Sequence, residues 1–150
     1  MVNKIKAIIV LSMLVSVSSC FAIDNPDTPD YVNNFLTEAK VYEDKISECN
    51  CDPVELRERY GDFNMFLEEK LSHAKRLVGH FVKGEAKAKF ISSQASWEVY
   101  SQKEKEFVSA NWTKESFGTS YLLSRLNYTT SIDKQRVITL YYYAKNYPAP

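Results

Sequence analysis

The chain has 150 residues, of which 45% are hydrophobic and 13% aromatic, with 10 Tyr, 8 Phe and 2 Trp. That supplies apolar area for a single core and excludes an intrinsically disordered chain. Lys plus Arg and Asp plus Glu stand at 19 each, so no global field recruits nucleic acid or an acidic membrane.

The N-terminus has the order of a secretory signal peptide: Lys4 and Lys6, an uncharged run from Ala7 to Val17, then Ser18, Ser19, Cys20, Phe21 and Ala22. Residues 1–22 are read as that signal, with cleavage between Ala22 and Ile23. Val17-Ser18-Ser19-Cys20 also has the form of a bacterial lipobox, in which Cys20 would be lipidated and become the new N-terminus. Cleavage after Ala22 is preferred, because Leu is the usual residue at the Val17 position. The apolar run falls short of the roughly 20 residues a spanning helix needs, and no later segment reaches that length. Loss of Lys4 and Lys6 leaves 17 basic against 19 acidic residues, a formal charge of −2.

Residues 23–29 form a polar, proline-bearing tether, and residues 30–147 one helical domain. Asp30 caps a first helix from Tyr31 to about Ile46, with Tyr31, Phe35, Ala39, Tyr42 and Ile46 on one stripe. Cys49 and Cys51 interrupt it. Two thiols this close form a local disulfide, remain free or join another chain, or hold a metal; the metal reading ranks last, since no third ligand stands at a recognised spacing. His73 and His80 read as partly exposed helix residues.

Asp52 as N-cap, Pro53 at the first helical position and Glu55 in a capping-box position start a second helix. It begins at Pro53 or, if Gly61 breaks it, at Asp62, and runs to Val82, with Gly84 as its stop. A third helix runs from about Glu85 to Val108, with Gln94, Trp97 and Tyr100 three apart on one face. Residues 111–118 (NWTKESFG) read as a loop lying back on the bundle. A last helix starts near Thr119 or Ser120, and Thr129, Thr130 and Ser131 suggest a kink or break with a new cap before Ile132. With 4 glycines and no alternating strand pattern, an all-α bundle of about four helices is expected, ending in a long helical hairpin that organises the rest.

No nucleophile elbow, zinc-protease motif or phosphate loop is present, so neither an enzyme nor a cofactor is expected. Asn111-Trp112-Thr113 and Asn127-Tyr128-Thr129 are sequons that matter only in a eukaryotic secretory pathway.

Ser93-Gln94, Trp97, Tyr100, then Gly118-Thr119, then Arg136 and Leu140 four apart resemble the LprI-type lysozyme-inhibitor domain. That family comprises small helical proteins of the bacterial envelope with a Gln-x-x-Trp-x-x-Tyr/Phe-Arg pattern, a cysteine, Gly-Ser, a second cysteine and Thr-x-x-Arg-x-x-x-Leu. The resemblance spans Phe90 to Leu140. This chain has Ser101 in place of the Arg, Lys105 in place of the first cysteine, and the second falls near Thr129, so both halves of the hairpin disulfide are missing.

The resemblance implies a periplasmic or secreted protein that binds a lysozyme or related muramidase. Within it, Trp97 and Tyr100 would fill the hairpin interface, with Gln94 and Arg136 at its polar edge. The 111–118 segment is the candidate to enter a target's cleft. Two other expectations stand beside it: an immunity or accessory protein that binds a secreted toxin, and a structural or colonisation-associated lipoprotein held through Cys20. Oligomeric state is left open.

Overall fold

The computed structural model describes residues 28–147. Cys20, the Ala22–Ile23 cleavage point and most of the tether lie outside the described residues. Four long helices carry the fold: α1 (Tyr31–Ser47), α2 (Pro53–Phe81), α3 (Gly84–Asn111) and, after the single turn α4 (Lys114–Phe117) and a 3₁₀ turn (Gly118–Ser120), α5 (Tyr121–Lys145). Among the described residues the architecture is an all-α bundle. No described helix is long and apolar enough to cross a membrane.

Each boundary has a local cause. Asp30 caps α1 by accepting from the Asn33 backbone N–H at 3.2 Å, and that bond holds the Asp30 carboxyl below its ordinary range. Asp52 caps α2 in the same way, accepting from Val54 N–H at 2.7 Å and Glu55 N–H at 3.0 Å. Pro53 opens the helix where a missing N–H costs nothing. The expected capping box does not close, because the Glu55 carboxylate turns forward to Arg59 at 2.6 Å.

Gly61 does not break α2, which runs unbroken from Pro53 to Phe81. Packing on both sides of the glycine outweighs its propensity: Tyr60 and Phe63 are both buried. Gly84 does not end α2 as a stop residue; it opens α3 at φ 52° after the two-residue turn Val82–Lys83.

The expected interruption of the last helix is also absent, since α5 runs straight through Thr129–Ser131. Each hydroxyl there has a partner that leaves the helix intact. Thr129 Oγ1 donates back to the Arg125 and Leu126 carbonyls, Ser131 Oγ to Tyr128, and Thr130 Oγ1 across to Asn64 Oδ1 of α2 at 2.8 Å.

The core lies between α1, α2 and α5. Phe35, Ala39, Leu67, Ala74, Val78, Val137, Leu140 and Ala144 are sealed in it, with Tyr42 stacked on Phe66 at 4.7 Å and Tyr141 tilted on Phe35 at 5.8 Å. Lys70 pairs with Glu38 and Lys134 with Glu43, tying α2 and α5 to α1. Thr28 Oγ1 donates to the Tyr147 carbonyl at 2.8 Å, joining the two ends of the described chain.

The hairpin of α3 and α5 is therefore not the centre of the molecule. The most extensive packing is between α2 and α5, and α3 lies as a flanking rod packed chiefly on α5. The buried positions of α3 explain this: Gln94, Ser101 and Val108 form a seven-residue stripe in which only one side chain is apolar. Such a stripe gives α3 a thin seam rather than a share of the core.

Candidate functional site

Four places gather chemistry, and the first is the junction where α3 meets α2 and α5. Trp97, half-buried, projects between the two neighbours. The Arg136 guanidinium of α5 lies 5.4 Å from the centre of its ring and the Lys75 ammonium of α2 lies 5.8 Å from it. Lys75 also pairs with Glu98 at 2.6 Å, and about two turns further along α3 Lys105 pairs with Asp133 of α5 at 2.7 Å. A cation near an indole is a favourable arrangement when it is partly withdrawn from water.

The same junction carries unmet polar groups. Both ends of the Gln94 amide, and Nε and Nη2 of Arg136, are shielded and have no hydrogen-bond partner among the described residues. Burial lowers the Arg136 guanidinium from its ordinary value. Beside the junction, α2 and α3 diverge above α5 and leave an open groove of about 950 Å³. Met65, Leu71, Trp97, Ser101 and Gln102 lie along it, with Glu68 and Glu106 near its rim.

The residues of the sequence motif separate here. Trp97 and Arg136 come together at the junction, while Gln94 is buried one helical turn before Trp97 on α3. Tyr100 does not fill the hairpin interface: it is 55% exposed, because the two steps of three residues from Gln94 drift round the helix and carry it off the seam. Leu140 is sealed in the core between α1, α2 and α5 and takes no part in the junction. Gly118 sits at φ 58° between α4 and the 3₁₀ turn, a backbone state that favours glycine.

The second place is the far end of the hairpin, where the expected loop is instead a capped turn. Asn111 is the last residue of α3, and Thr113 caps α4 by accepting from Ser116 N–H at 3.3 Å. Trp112 is the hub of a ring cluster. It stacks on Phe117 at 6.0 Å, meets Phe107 edge-on at 6.1 Å and lies against Tyr128 at 4.6 Å. Arg125 of α5 fixes the turn by donating to the Trp112 carbonyl at 2.8 and 3.2 Å and to the Ser109 carbonyl at 2.7 Å.

The outer rings of this cluster face solvent: Phe107 is 57%, Phe117 43% and Tyr128 44% exposed. A sequence reading of residues 111–118 alone misses Phe107 and Tyr128, which come from the two flanking helices. The signal that could have found them is the recurrence of rings at Phe107, Trp112, Phe117, Tyr121 and Tyr128 on both sides of Gly118.

The third place is the turn between α1 and α2, where a disulfide joins Cys49 to Cys51 with Cα atoms 5.0 Å apart. Glu55, one helical turn beyond Cys51, brings a carboxylate oxygen within 4.8 Å of both sulfurs. The sequence reading placed no third ligand beside the pair; the structure corrects this, because the first turn of α2 folds position 55 back over position 51.

His73 and Tyr141 form a fourth, smaller pairing, with His73 Nδ1 2.9 Å from the Tyr141 hydroxyl. Burial pushes Tyr141 up to about 12 and lowers His73. A phenol that stays protonated donates to an unprotonated Nδ1, so the pair acts as a fixed strut between α2 and α5.

No family model matches the chain, and no curated protein or solved structure is similar to it.

Proposed function

We propose that this is an exported envelope protein that acts by binding, and that the ring-lined end of its hairpin engages a protein target of the lysozyme or muramidase class. The observation that carries the reading is the Arg125-fixed cluster round Trp112. Interfaces draw most of their affinity from a few aromatic and Arg side chains, and binding weakens when such groups must be ordered first. Here the rings are held in place before any partner arrives. A glycosidase cleft stacks the faces of sugar rings against its own side chains, and exposed aromatic rings are groups that can occupy such a cleft.

The resemblance to the LprI-type domain supports the target class. Of its motif residues, Trp97 and Arg136 meet across the α3–α5 seam.

The test is a muramidase assay with the purified chain lacking residues 1–22. Inhibition is expected at moderate molar excess, and the combined variant F107A/F117A/Y128A, checked for helicity by circular dichroism, loses it. Unchanged muramidase activity at high excess of the unaltered chain rejects the target class. A pull-down that returns a secreted toxin in place of a muramidase supports the immunity-protein reading instead.

A further inference from the structure

The turn between α1 and α2 is built to stand without its disulfide. Asp52 caps α2 through two backbone N–H groups, and Arg59 reaches back from α2 to the Lys45 carbonyl of α1, while its other nitrogen pairs with Glu55. A cross-link between residues two apart closes so small a loop that it constrains the unfolded chain little. Anchoring the fold is therefore a poor account of the two sulfurs. In the oxidised turn a Glu55 carboxylate oxygen lies within 4.8 Å of both sulfurs, so reduction would leave two thiols beside a carboxylate.

We propose that the reduced turn is a binding site for a divalent cation of the zinc class, held by Cys49, Cys51 and Glu55, and that oxidation to the disulfide discharges it. Two thiolates and a carboxylate suit a borderline-soft cation with no geometric preference of its own, and three protein ligands leave a fourth position for water. Arg59 occupies one side of the Glu55 carboxylate, through Oε1 at 2.6 Å, and leaves the second oxygen for the cation. Such a partner orients the ligand.

The chain can open to the required span. Tetrahedral binding at about 2.3 Å from each sulfur sets the sulfurs roughly 3.7 Å apart. The Cα atoms, 5.0 Å apart in the oxidised turn, can separate to about 7 Å before the intervening residue is fully extended.

The chemistry balances with an external dithiol as reductant. It gives two electrons and two protons to the Cys49–Cys51 bond and closes to its own disulfide, which frees two thiols. The cation then displaces both thiol protons to solvent. Oxidation runs the same steps backwards and releases the cation.

The probe is Co²⁺ added to the full chain after anaerobic reduction with a phosphine. Sulfur-to-cobalt charge-transfer bands and intense tetrahedral visible bands are expected in the reduced chain, absent from the oxidised chain, and displaced by Zn²⁺. C49S and C51S abolish the bands, and E55Q weakens cobalt affinity about tenfold or more. Circular dichroism checks that all three variants remain helical, as the Asp52 cap and the Arg59 bridge predict. The proposal is overturned if the reduced chain binds cobalt no more tightly than the C49S/C51S double variant. It is equally overturned if E55Q binds as the unaltered chain does, or if the oxidised chain binds equally well.

Discussion

Arg136 and Trp97, 39 positions apart in the chain, meet with the guanidinium over the indole, 5.4 Å from the ring centre. This contact is one of several that hold α3 to the rest of the molecule, beside the Lys75–Glu98 and Lys105–Asp133 pairs and the Arg125 bonds at its C-terminal end. Replacing Trp97 by Ala removes the ring from both Arg136 and Lys75 and costs about 2 kcal/mol in urea unfolding. Amide exchange reports where the loss falls: α3 protection drops while α2 and α5 keep theirs. Uniform loss across all helices contradicts the thin-seam account.

Gln94 buries both ends of its amide without a partner. Leu has nearly the same volume and no polar atom to leave unmet, so Gln94→Leu is expected to raise stability by about 1 kcal/mol. A lower unfolding midpoint in Gln94→Leu would show that the amide has a partner in solution.

Glycine substitutions separate by position. Gly61 lies in mid-helix with no atom within 4 Å of a built Cβ, so Gly61→Ala stabilises by about 0.5–1 kcal/mol through the unfolded chain and helix propensity. Gly84 and Gly118 are equally open but have φ of +52° and +58°. There the same change is expected to destabilise by about 1 kcal/mol. Thermal melts of the three variants should move in those opposite directions.

Burial lowers His73, and the nearby Arg76 and Lys70 add to it against Glu69 and Glu38. A histidine whose folded value lies below its unfolded one binds fewer protons in the folded state. Its contribution to stability is complete above the unfolded value of about 6.5 and is lost as pH falls toward the folded one. Denaturant midpoints should decline over that window in the unaltered chain. In His73→Gln, which keeps an acceptor for the Tyr141 hydroxyl, that part of the slope is absent.

Arg125 holds the ring-lined turn through two carbonyls, which a Lys cannot span as a planar fork. Arg125→Lys is expected to cost about 1 kcal/mol. It should also speed amide exchange at residues 113–117 while leaving the core of α2 and α5 protected. Exchange there at the unaltered rate counts against the clamp.

Much of the fold was legible in the chain itself. The Asp30 and Asp52 caps, Pro53, the α1 stripe and the apolar spacing of α2 depend on residues within a turn or two of each other, and periodicity reads such relationships directly. Where the reading failed, a distant partner had decided the outcome. Thr130 stays helical because Asn64 accepts its hydroxyl, and Gly61 because its flanking rings are buried. Tyr100 shares the spacing of Gln94 and Trp97 and still ends in solvent, because the seam is narrower than the arc that three residues three apart sweep out.

The candidate sites divide the same way. Sequence alone determined the helical class, the cap chemistry and the placing of two cysteines in a turn, since each rests on local backbone preference. Tertiary structure alone decided that α2 and α5 form the centre, that Arg136 covers Trp97, and that Phe107 and Tyr128 join Trp112 at one end. Those pairings depend on which faces of separate helices are turned toward one another, and that choice is set by the summed burial of the whole core rather than by any single segment.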